Sequence, residues 1–299
     1  MSTTLTTSPT TTTPPPHGQP PRQRRRRKRE RPNFLGGLSG WIWLVIIILP
    51  LYYVVMTSFK SQVGFFSSNP LLPAPDPTLD NNALVLRSGF VTYLVNSVIV
   101  TVGAVAPALL VSFMAAYAVV RGRGRFIALT NTVFLMGLAI PLQATIVPIY
   151  LIITKMGLYD SLLALILPSA AFALPISVLI LSNFMRDIPN ELFESMRLDG
   201  ASNWSILWHL VLPMTRPAVV TVGIYNALQV WNGFLFPLIL TQSPDKRVLP
   251  LSLWAFQGEF SVNVPAILAA VVLSTLPLLL LYIFGRRQLL GGLTAGFSK

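Results

Sequence analysis

Six long apolar stretches, separated by shorter polar segments, dominate the pattern of the chain after residue 40. The shortest holds 19 residues, which as a helix extends about 28 Å and nearly crosses a hydrocarbon core of about 30 Å. Stretches of this length are too long for barrel strands. In lipid they must therefore be helices, in which the backbone N–H and C=O groups bond to one another. The pattern predicts an all-α, polytopic membrane protein with six transmembrane helices, at about Trp41–Phe59, Tyr93–Val119, Phe126–Ile153, Leu162–Phe184, Ala218–Leu240 and Val264–Phe284.

The division between the second and third stretches depends on a short basic segment, residues 121–125, in which Arg alternates with Gly. Each Arg in the middle of a membrane costs about 2.5–3.5 kcal/mol, so this segment is predicted to be a loop. Composition agrees with the membrane prediction, because only 11% of residues are charged against about 25% in soluble domains.

Orientation follows from the positions of Lys and Arg. With the N-terminus inside the cell, the inner segments carry 17 of these residues and the outer segments 5. This asymmetry predicts that both termini are cytoplasmic. An uncleaved first span is preferred over a signal peptide, because its apolar run is too long and lacks a small-residue cleavage site.

The net charge of +12 arises largely in residues 1–33, which are rich in Thr, Pro and Arg. This tail lacks the apolar content to form a core and is predicted to be a disordered basic cytoplasmic tail. A basic block before an apolar helix is typical of a topology signal, with contact to anionic membrane lipid as a secondary effect. Nucleic-acid binding is not predicted, because no folded basic face with interleaved aromatic residues follows.

Several kinds of chemistry are missing from the sequence. It has no cysteine, no phosphate-binding G-x-x-x-x-G-K-[ST] motif and no H-E-x-x-H or G-x-S-x-G motif, so we predict no metal site and no catalytic site. His17 lies in the tail, and His209 is interpreted as an interfacial polar residue. The spans lack interior ionisable residues, which argues against an ion-coupled carrier or channel, and the absence of an acid–base cluster argues against a membrane enzyme.

Neutral polar residues in the fifth stretch offer a candidate solute pathway. Asn226, Gln229 and Asn232 follow at three-residue intervals, which places them near one helix face, and Trp231 lies beside them. Asn96 and Ser97 in the second stretch are similar in character. The alternative interpretation of each residue is a hydrogen bond between helices, worth about 0.6–2 kcal/mol.

Residues 186–216 lie between the fourth and fifth stretches and are predicted to contain two short helices with a break. Glu191 and Glu194 suit the first turns of a helix and Arg197 its end, where they complement the helix dipole. Gly200 suits a left-handed stop, and Ser202 suits the cap of a second helix that runs to Leu212-Pro213. Such a helix could dock on a partner, or lie flat on the bilayer.

Three elements follow one another in this segment: Glu194-Ser195-Met196, Asp199-Gly200-Ala201-Ser202 and Leu210-Val211-Leu212-Pro213. Their order resembles the EAA loop of ABC importer permeases, with Ser195 and Met196 in place of alanines. The Asp-Gly-Ala-Ser element is similar to the maltose-type, carbohydrate branch. Three further segments resemble that branch: Tyr93–Ser97, Trp231–Leu238 (with Gly233 in place of an acid) and the ending Gly291–Lys299, which is similar to the second permease of the pair.

The resemblance implies the type I importer fold over residues 34–299, in the multi-pass bacterial cell membrane. It implies a heterodimer with a homologous permease, two ABC ATPases that carry the ATP and Mg, and an extracytoplasmic sugar-binding protein. The chain itself would be no enzyme and bind no cofactor. Residues 186–216, called the coupling loop from here on, would contact the ATPase through Glu191, Glu194, Ser195, Met196, Arg197, Asp199, Gly200, Ala201, Leu212 and Pro213.

The resemblance also implies two further contacts. The loop at 241–263, which carries Leu253, Trp254, Phe256 and Gln257, would meet the binding protein, although an amphipathic loop on the membrane is an equal alternative. Gly292, Gly296 and Lys299 in the C-terminal tail would contact the ATPases. The solute pathway would include Asn226, Gln229, Trp231 and Asn232.

Overall fold

The computed structural model describes residues 34–253 and 262–295, and every regular element in these residues is helical. Thirteen α-helices are present in this part of the chain, some joined by short 3-10 or π turns. They are α1 (Phe34–Ser58), α2 (Gln62–Ser67), α3 (Asp80–Val85), α4 (Val91–Arg121), α5 (Arg125–Gly137), α6 (Ile146–Lys155), α7 (Leu162–Arg186), α8 (Asn190–Leu198), α9 (Asn203–Ile206), α10 (Leu212–Trp231), α11 (Leu235–Leu240), α12 (Leu249–Ser252) and α13 (Val264–Ala295).

The chain divides into two units, residues 1–47 and 48–299. Of the first unit, only residues 34–47 belong to the described part. They form the beginning of α1, and their large apolar side chains, such as Trp41 and Trp43, are exposed, as suits a helix whose surroundings are apolar rather than aqueous.

The second unit is built around α4, α7 and α10. Helices α4 and α7 pack along each other, α10 packs on both, α13 packs on α10 and α3, and α5 packs on α7. Gly103 lets α4 approach α7 closely, because a Cβ there would come within 2.9 Å of Ile166 Cδ1. Small residues at such crossings are how membrane helices gain packing contact without a hydrophobic driving force.

Four described helical segments are long and apolar enough to cross a membrane, namely Gly36–Ser58, Asp80–Arg121, Leu162–Arg186 and Asn203–Trp231. The second is not straight: at its start, Ser88 and Gly89 leave helical geometry, and Gly89 has a φ of +90°. Helix α13 adds a further apolar segment over Val264–Leu280.

The third apolar stretch differs from the single span predicted at 126–153. Helix α5 stops at Gly137, and a new helical segment starts at Leu142, bent by 100° from the first. The amides of Leu138 and Ala139 bond three residues back, which tightens the last turn. Pro141 then has no amide hydrogen with which to continue the helix, so the break has a local cause.

The fifth stretch also differs from the helix predicted at 218–240. Helix α10 ends at Trp231, the Asn232 amide group donates back to the Leu228 carbonyl at 2.8 Å, and α11 starts only at Leu235. The Leu228 carbonyl accepts this side-chain bond in addition to a bond from the backbone amide of Asn232 at 3.1 Å. Pro237 is tolerated because it lies in the first turn of α11.

The second helix of the coupling loop does not stop at Leu212-Pro213 as predicted. Instead α9 passes through a π turn at Leu207–Val211 directly into α10. The Leu212 amide bonds five residues back, to the Leu207 carbonyl. This wide turn lies just before Pro213, which cannot donate, so the helix axis continues past the proline.

Candidate functional site

The first helix of the coupling loop, α8, begins after Pro189 and ends in a left-handed turn at Gly200, whose φ is +79°. The Ala201 amide donates to the Met196 carbonyl at 2.9 Å, and the Gly200 amide donates to the Arg197 carbonyl at 3.0 Å. These bonds form a glycine-based helix stop, as predicted. Ser202 caps α9, because its hydroxyl accepts from the Ser205 amide at 3.2 Å.

Helix α8 has one face in the protein and one face exposed. Phe193 is only 1% exposed and Met196 packs against the same apolar cluster, which includes Phe113 of α4 and Leu181 of α7. The exposed residues of α8 and of the turn after it include Glu191, Glu194, Ser195, Arg197 and Asp199, with no Glu194–Arg197 ion pair among the described residues. Leu198, at the end of the helix, is 89% exposed. The sequence pattern did not single out this leucine.

A second connection to α8 comes from the last residue of α4. The guanidinium carbon of Arg121 lies 4.1 Å from the centre of the Phe193 ring, and its Nη1 donates to Asn190 Oδ1 at 2.8 Å. A cation over an aromatic face and a charge-assisted hydrogen bond are both favourable contacts. Arg121 was predicted only as part of a loop, because its partners lie about 70 residues away and leave no local signal.

A cavity of about 310 Å³ lies between α4, α7, α10 and α11. Its walls combine aromatic rings with neutral polar groups, and the described lining residues include no Asp, Glu, Lys, Arg or His. Phe172 and Phe236 form an aromatic pair with centroids 5.7 Å apart. Other lining residues include Ser169, Tyr225, Asn226, Gln229 and Trp231.

The orientation of the Asn226 amide in this cavity is fixed by its neighbours. Ser177 donates its single hydroxyl hydrogen to the Ala173 carbonyl at 2.6 Å, so it must accept the bond from Asn226 Nδ2 at 2.7 Å. The amide oxygen of Asn226 is therefore the atom that remains as an acceptor. Of the four residues predicted for the pathway, Asn226, Gln229 and Trp231 line the cavity, whereas Asn232 lies outside its lining, at the end of α10.

The loop that follows α11 is held by polar contacts to distant parts of the chain. Asn96 Nδ2 donates to the carbonyls of Asp245 and Arg247, each at 2.8 Å, and Ser97 Oγ accepts from the Leu249 amide at 2.9 Å. Asn96 therefore makes a structural hydrogen bond, but to a loop and not to another helix as the alternative interpretation stated. Ser97 also lines the cavity.

Asp160 holds the same loop from the turn between α6 and α7. Its carboxylate accepts from the Ser243 hydroxyl and from the amides of Ser243 and Gln242. These hydrogen bonds, the Ser243 hydroxyl foremost, lower the pKa of Asp160. We call residues 241–253 the outer loop.

Only some of the residues predicted to contact the binding protein or the ATPases lie in the described part of the chain. Leu253 is partly buried and packs against the cluster that contains Trp231 and Leu249, so it supports the outer loop from within. Gly292 lies in α13. Trp254, Phe256, Gln257, Gly296 and Lys299 lie outside the described residues, as does the tail 1–33.

His209 is exposed and its Nδ1 lies 3.0 Å from the Ser205 carbonyl. Within residues 34–253 and 262–295, no group of His, Asp or Glu side chains is arranged to hold a metal ion.

Residues 108–289 match the family described as the binding-protein-dependent transport system inner membrane component. The chain belongs to this family. It is therefore a multi-pass permease subunit of an importer in the cell membrane, and ATP hydrolysis occurs on a separate subunit.

Relatives of the permease cover most of its length. A putative ABC transporter permease of Caldicellulosiruptor sp. is 42% identical over 258 residues, which is 86% of this chain and 94% of that protein. The diacetylchitobiose uptake system permease NgcG of Streptomyces coelicolor is 34% identical over 85% of each chain. The arabinooligosaccharides transport system permease AraQ of Halalkalibacterium halodurans is 30% identical over 85% of this chain and 92% of that protein.

Solved structures share the fold of the permease. A chain of a bacterial ABC transporter that imports the acidic polysaccharide alginate superposes with a TM-score of 0.74, at 22% identity, over 85% of this chain and 95% of that chain. A chain of the MetNI methionine ABC transporter superposes with a TM-score of 0.54 over 71% of this chain and 97% of that one. The predicted all-α, type I importer fold is thus confirmed.

Proposed function

We propose that this permease forms half of the pathway of a sugar importer and that α8 is its coupling helix. The observation that carries the proposal is the construction of α8, which is anchored inward by Phe193 while Leu198 and a row of charged residues remain outside. A helix with a fixed position and an unpartnered outer face is suited to dock in a cleft of another protein. The inferred contact to the ATPase includes Glu191, Glu194, Ser195, Arg197, Asp199, Gly200 and Leu198, while Met196, Ala201, Leu212 and Pro213 set its shape.

The proposed solute is a neutral oligosaccharide or a related solute. The cavity offers aromatic faces beside amide and hydroxyl groups, a combination that fits a ring with apolar faces and many hydroxyls. Its lack of ionised groups does not favour an acidic solute. Two relatives are named for uptake of diacetylchitobiose and arabinooligosaccharides, which supports the same class.

The proposed assembly has this permease paired with a homologous permease, two ABC ATPases that bind ATP and Mg, and an extracytoplasmic sugar-binding protein. The outer loop and the residues just beyond it, Trp254, Phe256 and Gln257, would face the binding protein. Gly292, Gly296 and Lys299 would reach the ATPases. Closure of the ATPases would then switch the permeases between inward-facing and outward-facing states by rigid-body rotation.

Uptake by the complete transporter in proteoliposomes tests the coupling assignment. Gly200→Glu places a side chain at a left-handed backbone position on the docking face, and we expect it to abolish ATP-driven uptake while the protein still inserts in the membrane. Gly157→Glu is the matched control, because Gly157 also has a positive φ (+70°) and open space around it. Gly157 lies in the turn between α6 and α7, which is predicted to be on the opposite side of the membrane from the coupling loop. Wild-type uptake by Gly200→Glu would overturn the assignment.

The sugar itself is best identified through the binding protein. Co-purification of the assembled transporter, followed by analysis of the ligand held by the captured binding protein, is expected to yield a neutral saccharide. An amino acid or an anionic ligand would contradict the proposed solute class.

A further inference from the structure

The membrane segment from Arg125 to Lys155 is broken by a bend of 100°, where α5 ends at Gly137 and a 3-10 turn begins at Leu142. Helix α5 has 13 residues and therefore extends about 20 Å, so the bend lies within a hydrocarbon core of about 30 Å. We call residues 138–145 the bend segment. It places irregular backbone at membrane depth.

The chain itself satisfies the backbone of the bend segment only in part. The amides of Ala139 and Ile140 donate three residues back, but nothing in the described part of the chain donates to the carbonyls of residues 138–140. The amides of Leu142 and Gln143 likewise find no acceptor there. Lipid tails offer no partner for such groups, so irregular backbone at this depth must be covered by protein or line a water-filled space.

The side chain of Gln143 adds an unpaired amide to the same surface. It is exposed and makes no hydrogen bond to any residue that the structure describes. An amide carries two donor hydrogens and an acceptor oxygen, and its transfer to an apolar medium without partners is costly. This cost argues against a position among lipid tails.

The bend segment is continuous with the cavity between α4, α7, α10 and α11. Leu142 lines that cavity and packs against the cluster that contains Leu165 and Phe236. Successive side chains of a 3-10 turn point about 120° apart. Gln143 therefore lies beside the cavity, on a surface that this chain leaves uncovered.

A packed helix of a second permease would cover this surface poorly. The backbone of such a helix bonds to itself, so it could offer only side chains to the free carbonyls, the free amides and Gln143. Water, and the hydroxyls of a solute that displaces water, can donate and accept at each of these groups. The unpaired polar groups of the bend segment thus fit a solute pathway better than a helix interface.

We propose that the bend segment lines the solute pathway and that Gln143 is a solute-binding residue that favours neutral, hydroxyl-rich solutes. The inference rests on the proposed function, which assigns a neutral saccharide to the neighbouring cavity. A saccharide hydroxyl both donates and accepts, and one glutamine amide answers both. Gln143 thereby extends the binding surface of the cavity beyond Asn226 and Gln229 of α10.

Thiol labelling of the complete transporter in nanodiscs tests the position of Gln143, since the chain has no native cysteine and mass analysis identifies the labelled subunit. We expect Gln143→Cys to react with a charged methanethiosulfonate within about tenfold of the rate of Arg123→Cys, in the exposed basic loop, because both thiols would be in water. The matched control is Val133→Cys, because Val133 is 58% exposed in the single chain but lies in the regular part of α5. We expect it to react at least about 100-fold more slowly than Arg123→Cys, since apolar surroundings suppress the thiolate. Equal rates for Gln143→Cys and Val133→Cys would overturn the inference.

Protection by solute tests the contact itself. Ala144→Cys places the thiol in the bend segment beside an intact Gln143, and Ala144 is exposed. During ATP-driven uptake from saccharide-loaded binding protein, we expect its labelling to slow by about threefold when solute occupies most of the pathways. A rate that is the same with and without saccharide would place the bend segment outside the path of the solute and overturn the contact.

Uptake distinguishes a solute contact from a structural role. Gln143→Met keeps a long, unbranched side chain but removes the amide, so we expect saccharide uptake to fall about three- to tenfold, as for the loss of one hydrogen bond, at an unchanged unfolding temperature. Gln143→Asn retains the amide on a shorter side chain and should recover part of the uptake. Asn131→Leu is the control, because it removes an amide from the regular part of α5, and it should retain wild-type uptake. Equal uptake by Gln143→Met and Asn131→Leu would contradict the role of Gln143.

Failure of this inference is distinguishable from failure of the proposed function. If Gln143→Cys and Val133→Cys label equally slowly while the captured binding protein holds a neutral saccharide, the solute class stands and the bend segment lies outside the pathway. If the captured binding protein holds an amino acid or an anion, the proposed solute class itself fails, whatever the labelling shows.

Discussion

The Asp160 carboxylate accepts a hydrogen bond from the Ser243 hydroxyl, and so joins the turn before α7 to the outer loop across 83 positions of sequence. Two backbone amides of the outer loop point at the same carboxylate. Asp160 has a φ of +59°, a left-handed conformation that Asp tolerates better than most residues. The residue therefore combines a tight turn with a fixed attachment of the loop.

Asp160→Asn is expected to loosen the outer loop, because the neutral amide is a weaker acceptor for three donors. Hydrogen exchange of the Gln242 and Ser243 amides should become several-fold faster in the variant at neutral pH. Asp76→Asn is the control, since Asp76 is exposed and makes no side-chain hydrogen bond within residues 34–253 and 262–295. Unchanged exchange in Asp160→Asn would show that the carboxylate does not hold the loop.

The same contact predicts a pH dependence. The folded pKa of Asp160 is lower than its ordinary value, which is about 4, so the ionised form is favoured by folding. Its stabilisation is complete above that ordinary value and is lost as the pH falls through the lowered folded pKa. Amide exchange at Gln242 and Ser243, corrected for intrinsic rates, should thus be constant from pH 5 to pH 8.

Leu198→Asp is expected to weaken binding of the ATPases without disturbing the fold. The side chain is 89% exposed, so its removal leaves no cavity, yet a central apolar anchor in an interface often dominates the binding energy. We expect the amount of co-purified ATPase to fall by about 10-fold or more. Val63→Asp is the control: it replaces another exposed apolar residue, on α2, and the variant should retain the ATPases. Full retention of the ATPases by Leu198→Asp would show that Leu198 is not part of the interface.

The parts of this fold that follow from sequence are those with a local cause. The lengths of the apolar stretches indicated where helices form. Gly200 and Ser202 indicated the turn and the cap in the coupling loop, because a glycine stop and a serine cap each act within a few residues. The breaks near Pro141 and at Asn232 were missed although each has a local cause, because a proline within an apolar stretch does not always end a helix: α4 runs through Pro107. Apolar length also could not show that α9 continues into α10.

The contacts that connect the candidate sites were beyond sequence reasoning for a different reason. Asn96 was interpreted as a pathway residue or as a hydrogen bond between helices, whereas in the structure it bonds the backbone of the outer loop at residues 245 and 247. Arg121 could be placed at a membrane boundary by its charge, but not over Phe193. Met196 departs from the alanine of the related loop, and the structure turns it inward, where it packs in the apolar cluster.

Asn226→Leu is expected to raise the KM for uptake, because it removes a neutral hydrogen-bonding group from the cavity while the new side chain has a similar size. Ser177→Ala is the matched control, because it removes the same Asn226–Ser177 hydrogen bond, worth about 0.6 kcal/mol in such helices, but leaves the amide in place. Uptake measured over a range of solute concentrations should give a raised KM for Asn226→Leu and a KM close to wild type for Ser177→Ala. Equal KM values for both variants would assign Asn226 to helix packing alone.

Gly137→Ala is expected to destabilise the permease by about 1–3 kcal/mol, the usual cost of overpacking. A Cβ at this position would lie 2.8 Å from Pro175 Cγ, and the proline ring cannot rotate away as a flexible side chain could. Thermal unfolding in detergent measures the effect. Gly40→Ala is the control, since its Cβ would meet nothing within 4 Å, and alanine should there raise helix stability by about 0.5–1 kcal/mol. If Gly137→Ala unfolds at or above the wild-type temperature, α5 does not approach α7 as closely as the structure places it.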